Sequence, residues 1–256
     1  MIELDKIYNE DCMSTMERLH DVDCVLTSPP YNTDRGGGKL DDHSQRYEQF
    51  EDFKTDDEYT NWTIDLFRHF DNVLKPNGSV LYNISYSVRK PWLLWNLISS
   101  VQRETVFTVA DCIIWKKTSA LPNNTNYNKL TRLCEFVFVF CRKNEFDTFK
   151  CYKGESSTRA TGQVMYNNHF NYLEAPNNDE FCPIHKATYS TMLCRKLMNL
   201  YSKEGDIIYD PFMGTGTTAV ACHMEKRHYI GSELSPRYVE WAEKRIKNET
   251  LQLSLF

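Results

Sequence analysis

The 256-residue chain is expected to adopt an α/β fold, and three observations predict it. Short apolar runs alternate with segments of helical periodicity along most of its length. One run, Asp206 to Asp210, passes directly into the turn Met213-Gly214-Thr215-Gly216 and a helix start. Another, Val22 to Leu26, ends at Thr27-Ser28-Pro29-Pro30-Tyr31-Asn32, where two prolines stiffen the backbone between a hydroxyl and an aromatic ring. The length suits one α/β domain with insertions and a sizeable core.

In chain order, a strand over Lys6 to Tyr8 leads through the acidic turn Asn9 to Asp11 to a helix from about Met13 to Leu19. After the Val22–Leu26 strand, residues 33–58 form a polar stretch containing Gly36-Gly37-Gly38, and a loop this long is usually functional or disordered. Trp62, Leu66, Phe67, Phe70 and Val73 recur near helical spacing, which predicts a helix from about Glu58 to Val73. Lys75-Pro76-Asn77-Gly78 turns the chain into the strand Ser79–Ile84. A helix near 91–102, strands over Val106–Trp115 and Glu135–Cys141, and a helix over 188–201 complete the middle. Residues 143–183 lack periodicity and are rich in Asn, Tyr, Ser, Thr and basic groups, which suggests an inserted recognition segment. Trp115, Phe136, Phe138 and Phe140 are expected in the core rather than as stacking platforms.

Nine cysteines, no CxxC pair and no leader-like segment argue for a reducing cytoplasm and against a zinc site. No apolar run approaches the roughly 18 residues of a membrane span. The net charge of −5 hides an uneven distribution. Residues 1–102 carry 10 Lys/Arg against 18 Asp/Glu, residues 103–160 carry 10 against 6, and residues 161–256 carry 10 against 11. Phosphate contacts, if made, belong to the basic middle zone: Lys116, Lys117, Lys129, Arg132, Lys150, Lys153 and Arg159.

The glycine turn lets backbone N–H groups approach a polar ligand, and a helix N-terminus follows it. Glu233 ends the next strand about 20 residues on, where an acid binds ribose hydroxyls. Gly214-Thr-Gly216-Thr-Thr-Ala219 also matches a dinucleotide fingerprint. A nicotinamide dehydrogenase fails on topology, because a mononucleotide-binding half needs a third strand and only one helix follows Glu233. The N-terminus supplies that strand, bringing Asp11, the Ser28 turn, the glycine turn and Glu233 to one carboxyl edge of the sheet.

That motif order resembles the amino-methyltransferases of DNA in their β-class arrangement. The resemblance covers nearly the whole chain: IYNEDCMSTMERL, TSPPYN, VLKPNGSVLYNI, CPIHKATYSTMLCRKLM, DPFMGTGTT and GSELSPRYVEWAEKRI occur in this order. It implies a Rossmann-like, mostly parallel seven-stranded methyltransferase sheet in circularly permuted motif order, with S-adenosylmethionine as cofactor and duplex DNA with a flipped-out base as substrate. By resemblance, Asp210, Phe212, Gly214 and Gly216 cradle the cofactor, with Thr217 and Thr218 at the helix start. Glu233 takes the ribose hydroxyls, and Asp11 with Cys12 reaches the adenine edge. Where the family shows H-P-x-x-K-P, this chain reads Pro183-Ile184-His185-Lys186-Ala187, without the second proline. Thr188 and Ser190 are therefore placed near the cofactor by resemblance alone.

The catalytic motif Ser28, Pro29, Pro30, Tyr31 then has a chemical reading. An exocyclic base amine is a poor nucleophile because its lone pair is delocalised into the ring. Ser28 Oγ and the Pro29 carbonyl, fixed by the prolines, accept its N–H bonds and favour a pyramidal nitrogen. Tyr31 offers a ring on which the extruded base stacks. Methylation at cytosine carbon 5 needs a cysteine after proline, and none of the nine prolines is followed by one. S-P-P-Y favours cytosine N4 over adenine N6, with adenine N6, an RNA amine and a decayed, non-catalytic DNA-binding protein as alternatives. The short recognition zone calls for a short site, help from the 33–58 loop or a second subunit. Gln252-Leu253-Ser254-Leu255-Phe256 resembles the pentapeptide by which bacterial proteins dock on the replicative sliding clamp. Metal is not expected, and the protein is expected in the cytoplasm near the nucleoid.

Overall fold

A computed structural model describes residues 2–32, 54–86, 90–119, 127–179 and 189–253. Its main sheet has eight strands: β1 (Lys6–Tyr8), β2 (Val22–Thr27), β3 (Leu74–Ile84), β4 (Phe107–Lys117), β5 (Cys134–Arg142), β8 (Tyr172–Ala175), β9 (Ile207–Asp210) and β10 (His228–Ser232). Their spatial order is β1-β10-β9-β2-β3-β5-β4-β8, so strands from the two ends of the chain interleave. Every pairing is parallel except the two made by β5. A separate two-stranded sheet joins β6 (Glu155–Thr158) to β7 (Val164–Tyr166).

The sheet therefore has eight strands where seven were expected. The extra one is β8, which pairs parallel to β4 from Ile114↔Tyr172 to Lys117↔Ala175. It arises inside the 143–183 segment, whose four-residue, mostly exposed strands are too short to carry a readable period.

The strands bury both faces, as a mostly parallel sheet requires. Val80, Tyr82, Phe138 and Phe140 join a core with Leu66, Phe67 and Phe70 of α2 (Asp56–Val73) and Leu94, Leu97 and Val101 of α3 (Leu93–Glu104). The alternate residues Leu81, Val137, Val139 and Trp115 join the opposite core. There they meet Leu193 and Leu197 of α4 (Thr191–Tyr201), Ala219 and Cys222 of α5 (Thr217–Met224), and Ala242 of α6 (Pro236–Leu253). A short helix, α1 (Cys12–Met16), follows β1. Trp115, Phe138 and Phe140 are core residues, and Phe136 packs against the core partly buried.

Several boundaries differ from the sequence reading: β3 starts at Leu74 and takes in the expected turn Lys75–Gly78, and α1 ends at Met16 rather than near Leu19. Helix α2 begins at Asp56, because Thr55 and Glu58 form a reciprocal capping box; residues 33–53 of the expected loop lie outside the described residues. Helix α6 runs through Leu253, since nothing after Pro236 breaks it and the Lys244–Glu240 pair at 2.6 Å supports it. Gln252 and Leu253, expected in an extended tail, are thus helical, and Leu255 and Phe256 lie outside the described residues. Among the described residues no helix is long and apolar enough to cross a membrane.

Candidate active site

Strand ends assemble the site. In a sheet of this topology the carboxyl ends of β1, β10, β9, β2 and β3 open on one edge, and antiparallel β5 contributes its start there. Ligands bind at such edges because loops and helix N-termini converge on them.

Asp210, at the end of β9, is fully buried and accepts four hydrogen bonds. Oδ1 takes Thr27 Oγ1 at 2.8 Å and the Phe212 N–H at 3.0 Å; Oδ2 takes Thr218 Oγ1 at 2.5 Å and Tyr189 Oη at 3.1 Å. A carboxylate has about four acceptor sites, so all are spent on protein donors. Burial still raises its pKa above the ordinary aspartate value, against the pull of those donors. Asp210 locks the β2 turn to the glycine turn.

The glycine turn has two causes. Gly214 and Gly216 adopt φ of 54° and 84°, which favours residues without a Cβ. A Cβ on Gly216 would also lie 2.9 Å from the Ala242 Cβ of α6, so the close approach there is to protein as well as to any ligand. The side chains of Thr217 and Thr218 point to protein partners, Arg245 at 3.0 Å and Asp210 respectively. Their contribution to a ligand would come from the backbone at the helix start. Phe212 packs on Trp62 with ring centroids 5.6 Å apart.

Glu233, just past β10, receives the Gly214 N–H at 2.9 Å on Oε2 and the Ser235 N–H at 2.8 Å on Oε1. Each oxygen keeps a further lone pair for a hydroxyl donor. Burial, with the Asp210 charge adding to it, pushes its pKa above the usual glutamate range. Asn9 ties the β1 end to this loop by donating to the carbonyls of Glu233 and Leu234, both at 2.9 Å. Asp11 caps α1, accepting the Met13 N–H at 2.8 Å, and is exposed. Cys12 is buried, and that burial raises its thiol pKa. Thr215 Oγ1 and Ser190 Oγ are buried without a partner among the described residues, polar atoms that a ligand could satisfy. Positive-φ glycines, an acid with open lone pairs and these orphaned hydroxyls fit an adenosyl group with a polar amino-acid arm.

At the β2 end, Pro29 and Pro30 are buried, and Tyr59 of α2 donates to the Pro30 carbonyl at 2.7 Å, pinning the turn. Ser28 Oγ lies 3.0 Å from Tyr31 Oη. Asn83 of β3 and Glu135 of β5 complete a network that sequence reasoning missed. Asn83 Nδ2 donates to Tyr31 Oη at 2.6 Å, to Glu135 Oε2 at 3.1 Å and to Ser28 Oγ at 3.2 Å, while its own Oδ1 is buried without a partner among the described residues. Tyr31 Oη donates to Glu135 Oε2 at 3.0 Å, and Lys117 Nζ reaches Glu135 Oε1 at 2.5 Å. The signal in the sequence was Asn83, a polar residue within the buried run at the end of β3.

The basic zone disperses. Lys117 is drawn into the site, paired with Glu135 and 4.9 Å above the Trp115 ring, rather than free for phosphate. Lys150 sits near the opposite sheet edge, paired at 3.1 Å with buried Asp23 at the start of β2. Lys116 pairs with Glu174 across β4 and β8, at 2.7 Å. Arg132 stacks on the Tyr86 ring at 5.2 Å and donates to the Tyr86 carbonyl. Arg159 holds Gln163 in the β6–β7 turn, at 3.2 Å. Lys129 and Lys153 are exposed. His185, Lys186 and Thr188 lie outside the described residues.

Comparison with known proteins agrees with this geometry. A type II methyltransferase of Citrobacter freundii, M.Cfr9I, is 27% identical, the alignment covering 95% of this chain and 88% of that protein. The solved structure of the PvuII DNA methyltransferase, described as cytosine-N4-specific, superposes with a TM-score of 0.70 at 19% identity, covering 96% of this chain and 91% of that one. The M1.HpyAVI–SAM complex superposes with a TM-score of 0.62 at 24% identity, covering 94% and 98%. Residues 22–244 match the N6/N4 methyltransferase family model, described as DNA methylase. A match over most of the chain, on a sheet that gathers the Ser28 turn, the glycine turn and Glu233 at one edge, makes this protein a member of the N6/N4 DNA methylase family.

Proposed function

We propose that the protein methylates an exocyclic base amine of duplex DNA, using S-adenosylmethionine, with cytosine N4 favoured over adenine N6. The observation that carries the reading is the Ser28 hydroxyl on a pinned Pro-Pro turn, beside a turn and an acid that suit an adenosyl ligand. S-adenosylmethionine supplies an electrophilic methyl on a sulfonium, so the chain's task is positioning and amine activation. Ser28 Oγ and the Pro29 carbonyl accept the amine N–H bonds, and the Tyr31 ring supports the base. Glu233 takes the ribose hydroxyls, the glycine turn holds the amino-acid arm, and Asp11 with Cys12 borders the adenine. Asp210, saturated by protein donors, positions this loop instead of touching the ligand. The serine in the first motif position is what favours N4. The interleaving of strands from both chain ends supports the permuted motif order.

The segment over 143–183, with its β6–β7 hairpin, is proposed to read the target, with Lys129, Lys153 and Arg159 as the exposed phosphate contacts. Transfer of labelled methyl to mixed-sequence duplex DNA, undiminished by an excess of RNA, tests the substrate class; preferential labelling of RNA would move the reading to an RNA amine. Glu233→Gln should weaken cofactor binding by about tenfold, one charge-assisted hydrogen bond, in calorimetry. The unaltered protein should lose affinity as pH falls through a window opening above 4.5. Burial raises the Glu233 pKa above that value, and the protonated acid is a poorer acceptor. Unchanged affinity in the variant would remove Glu233 from the ribose site. The terminal segment 252–256 is proposed to dock on a sliding clamp, which requires the last turn of α6 to unwind. Deleting it should abolish clamp retention, and full retention would end the idea.

A further inference from the structure

The amine-activation reading leaves a chemical ambiguity at Ser28, because a hydroxyl donates as readily as it accepts. A proton pointed at the amine would oppose pyramidalisation. Counting protons in the network settles its direction. Among the described residues, Tyr31 Oη meets Asn83 Nδ2 at 2.6 Å, Ser28 Oγ at 3.0 Å and Glu135 Oε2 at 3.0 Å. The asparagine nitrogen only donates, so of these three only Ser28 and Glu135 can take the tyrosine proton. Glu135 and Lys117 form an ion pair whose side chains are 14% and 17% exposed, and a carboxylate only accepts. Were the tyrosine proton on Ser28, two oxygens with no proton between them would face each other at 3.0 Å. The charge-assisted bond to Glu135 is also the stronger of the two by about twofold. The tyrosine proton therefore belongs to Glu135, and the serine proton belongs to Tyr31.

We infer that Glu135, held by Lys117, orients the Ser28 hydroxyl through Tyr31 so that Ser28 meets the target amine with a lone pair and not with its proton. Of the two lone pairs on Ser28 Oγ, one faces Asn83 Nδ2 at 3.2 Å and the other is left for the incoming N–H. Glu135 and Lys117 are positioning residues in this scheme, acting three and four hydrogen bonds away from the reacting nitrogen. A hydroxyl so polarised does the work of an acceptor-only group. The inference rests on the amine-methyltransferase reading and adds a residue pair to it.

The test is a double-mutant cycle read as single-turnover methyl transfer from labelled S-adenosylmethionine to unmethylated mixed-sequence duplex DNA. Glu135→Gln and Tyr31→Phe should each slow transfer by about 10- to 100-fold, the rate equivalent of one hydrogen bond to a charged group, with cofactor affinity unchanged. The double variant should be no slower than the slower single one, because the inference routes the effect of Glu135 on the serine proton through the tyrosine hydroxyl, while Asn83, its other partner, only donates to Ser28. Losses that multiply, or an unaltered rate in either single variant, would overturn the inference. If Glu135→Gln does not fold, Tyr31→Phe carries the test alone, since it keeps the ring and its packing; a rate equal to that of the unaltered protein would again overturn it. No transfer by the unaltered protein would overturn the methyltransferase reading itself, and this inference with it.

Discussion

Replacing Asp210 with alanine should cost at least about 3 kcal/mol of folding stability, enough to unfold much of the protein at moderate denaturant. The carboxylate accepts from Thr27, Thr218, Tyr189 and the Phe212 N–H, and the Thr27 and Thr218 side chains are fully buried. Each donor left without a partner away from water costs about 1–3 kcal/mol, and a cavity adds to that. Asparagine is the informative control. It keeps one oxygen for Thr27 and the Phe212 N–H, and the hydroxyls of Thr218 and Tyr189 can rotate to accept from its amide. Its cost should stay below about 2 kcal/mol, within the usual range for a single substitution. The pKa direction agrees: burial raises Asp210, so the ionised form is penalised in the folded state. That penalty is present above the folded pKa and is relieved as pH falls through it toward 3.8, so this group does not drive acid unfolding. Denaturation midpoints of the two variants decide the matter. Equal, large losses would mean that the charge, not the set of acceptors, holds the turn.

Ser28→Ala should slow methyl transfer by about 100-fold while cofactor affinity stays unchanged, the scale of loss when one preorganised polar group leaves a reaction centre. The hydroxyl is half-buried on a turn pinned at the Pro30 carbonyl by Tyr59, so alanine keeps the backbone in place and removes the hydroxyl with its bonds to Tyr31 and Asn83. Single-turnover rates with saturating cofactor isolate that step from binding. A loss of less than about threefold would remove Ser28 from the amine's acceptors and leave the Pro29 carbonyl, since the Pro30 carbonyl is taken by Tyr59.

The sequence conveyed what is local and lost what depends on pairing. Apolar runs broken by glycine, proline and acidic turns located most main-sheet strands, because a strand buried on both faces is a short hydrophobic word. The Ser28 turn, the glycine turn and Glu233 were legible because each is punctuated by Pro or Gly at a strand end. The partners that tune Ser28 were not. Tyr31 and Glu135 are 104 residues apart and meet only because β5 runs antiparallel between β3 and β4, bringing Glu135 opposite Trp115 and beside Asn83. Lys117 and Lys150 looked alike as members of a basic zone. The end of β4 carries Lys117 into the site, while Lys150, on the connection after β5, pairs with a buried aspartate at the far end of β2. Charge composition carries no such information, since it ignores which edge of the sheet a lysine faces. The eighth strand was hidden for a related reason, four residues being too few to show a period.

The most direct measurement is the mass of the methylated nucleoside. Duplex DNA of mixed sequence, incubated with the unaltered protein and labelled S-adenosylmethionine, is digested and its nucleosides are separated. The label is expected on an exocyclic amine, as N4-methylcytosine given the serine at position 28; N6-methyladenine would mean that serine replaces a carboxylate acceptor without changing the base. Label on carbon 5 of cytosine, or bound cofactor with no label in DNA, would contradict this expectation.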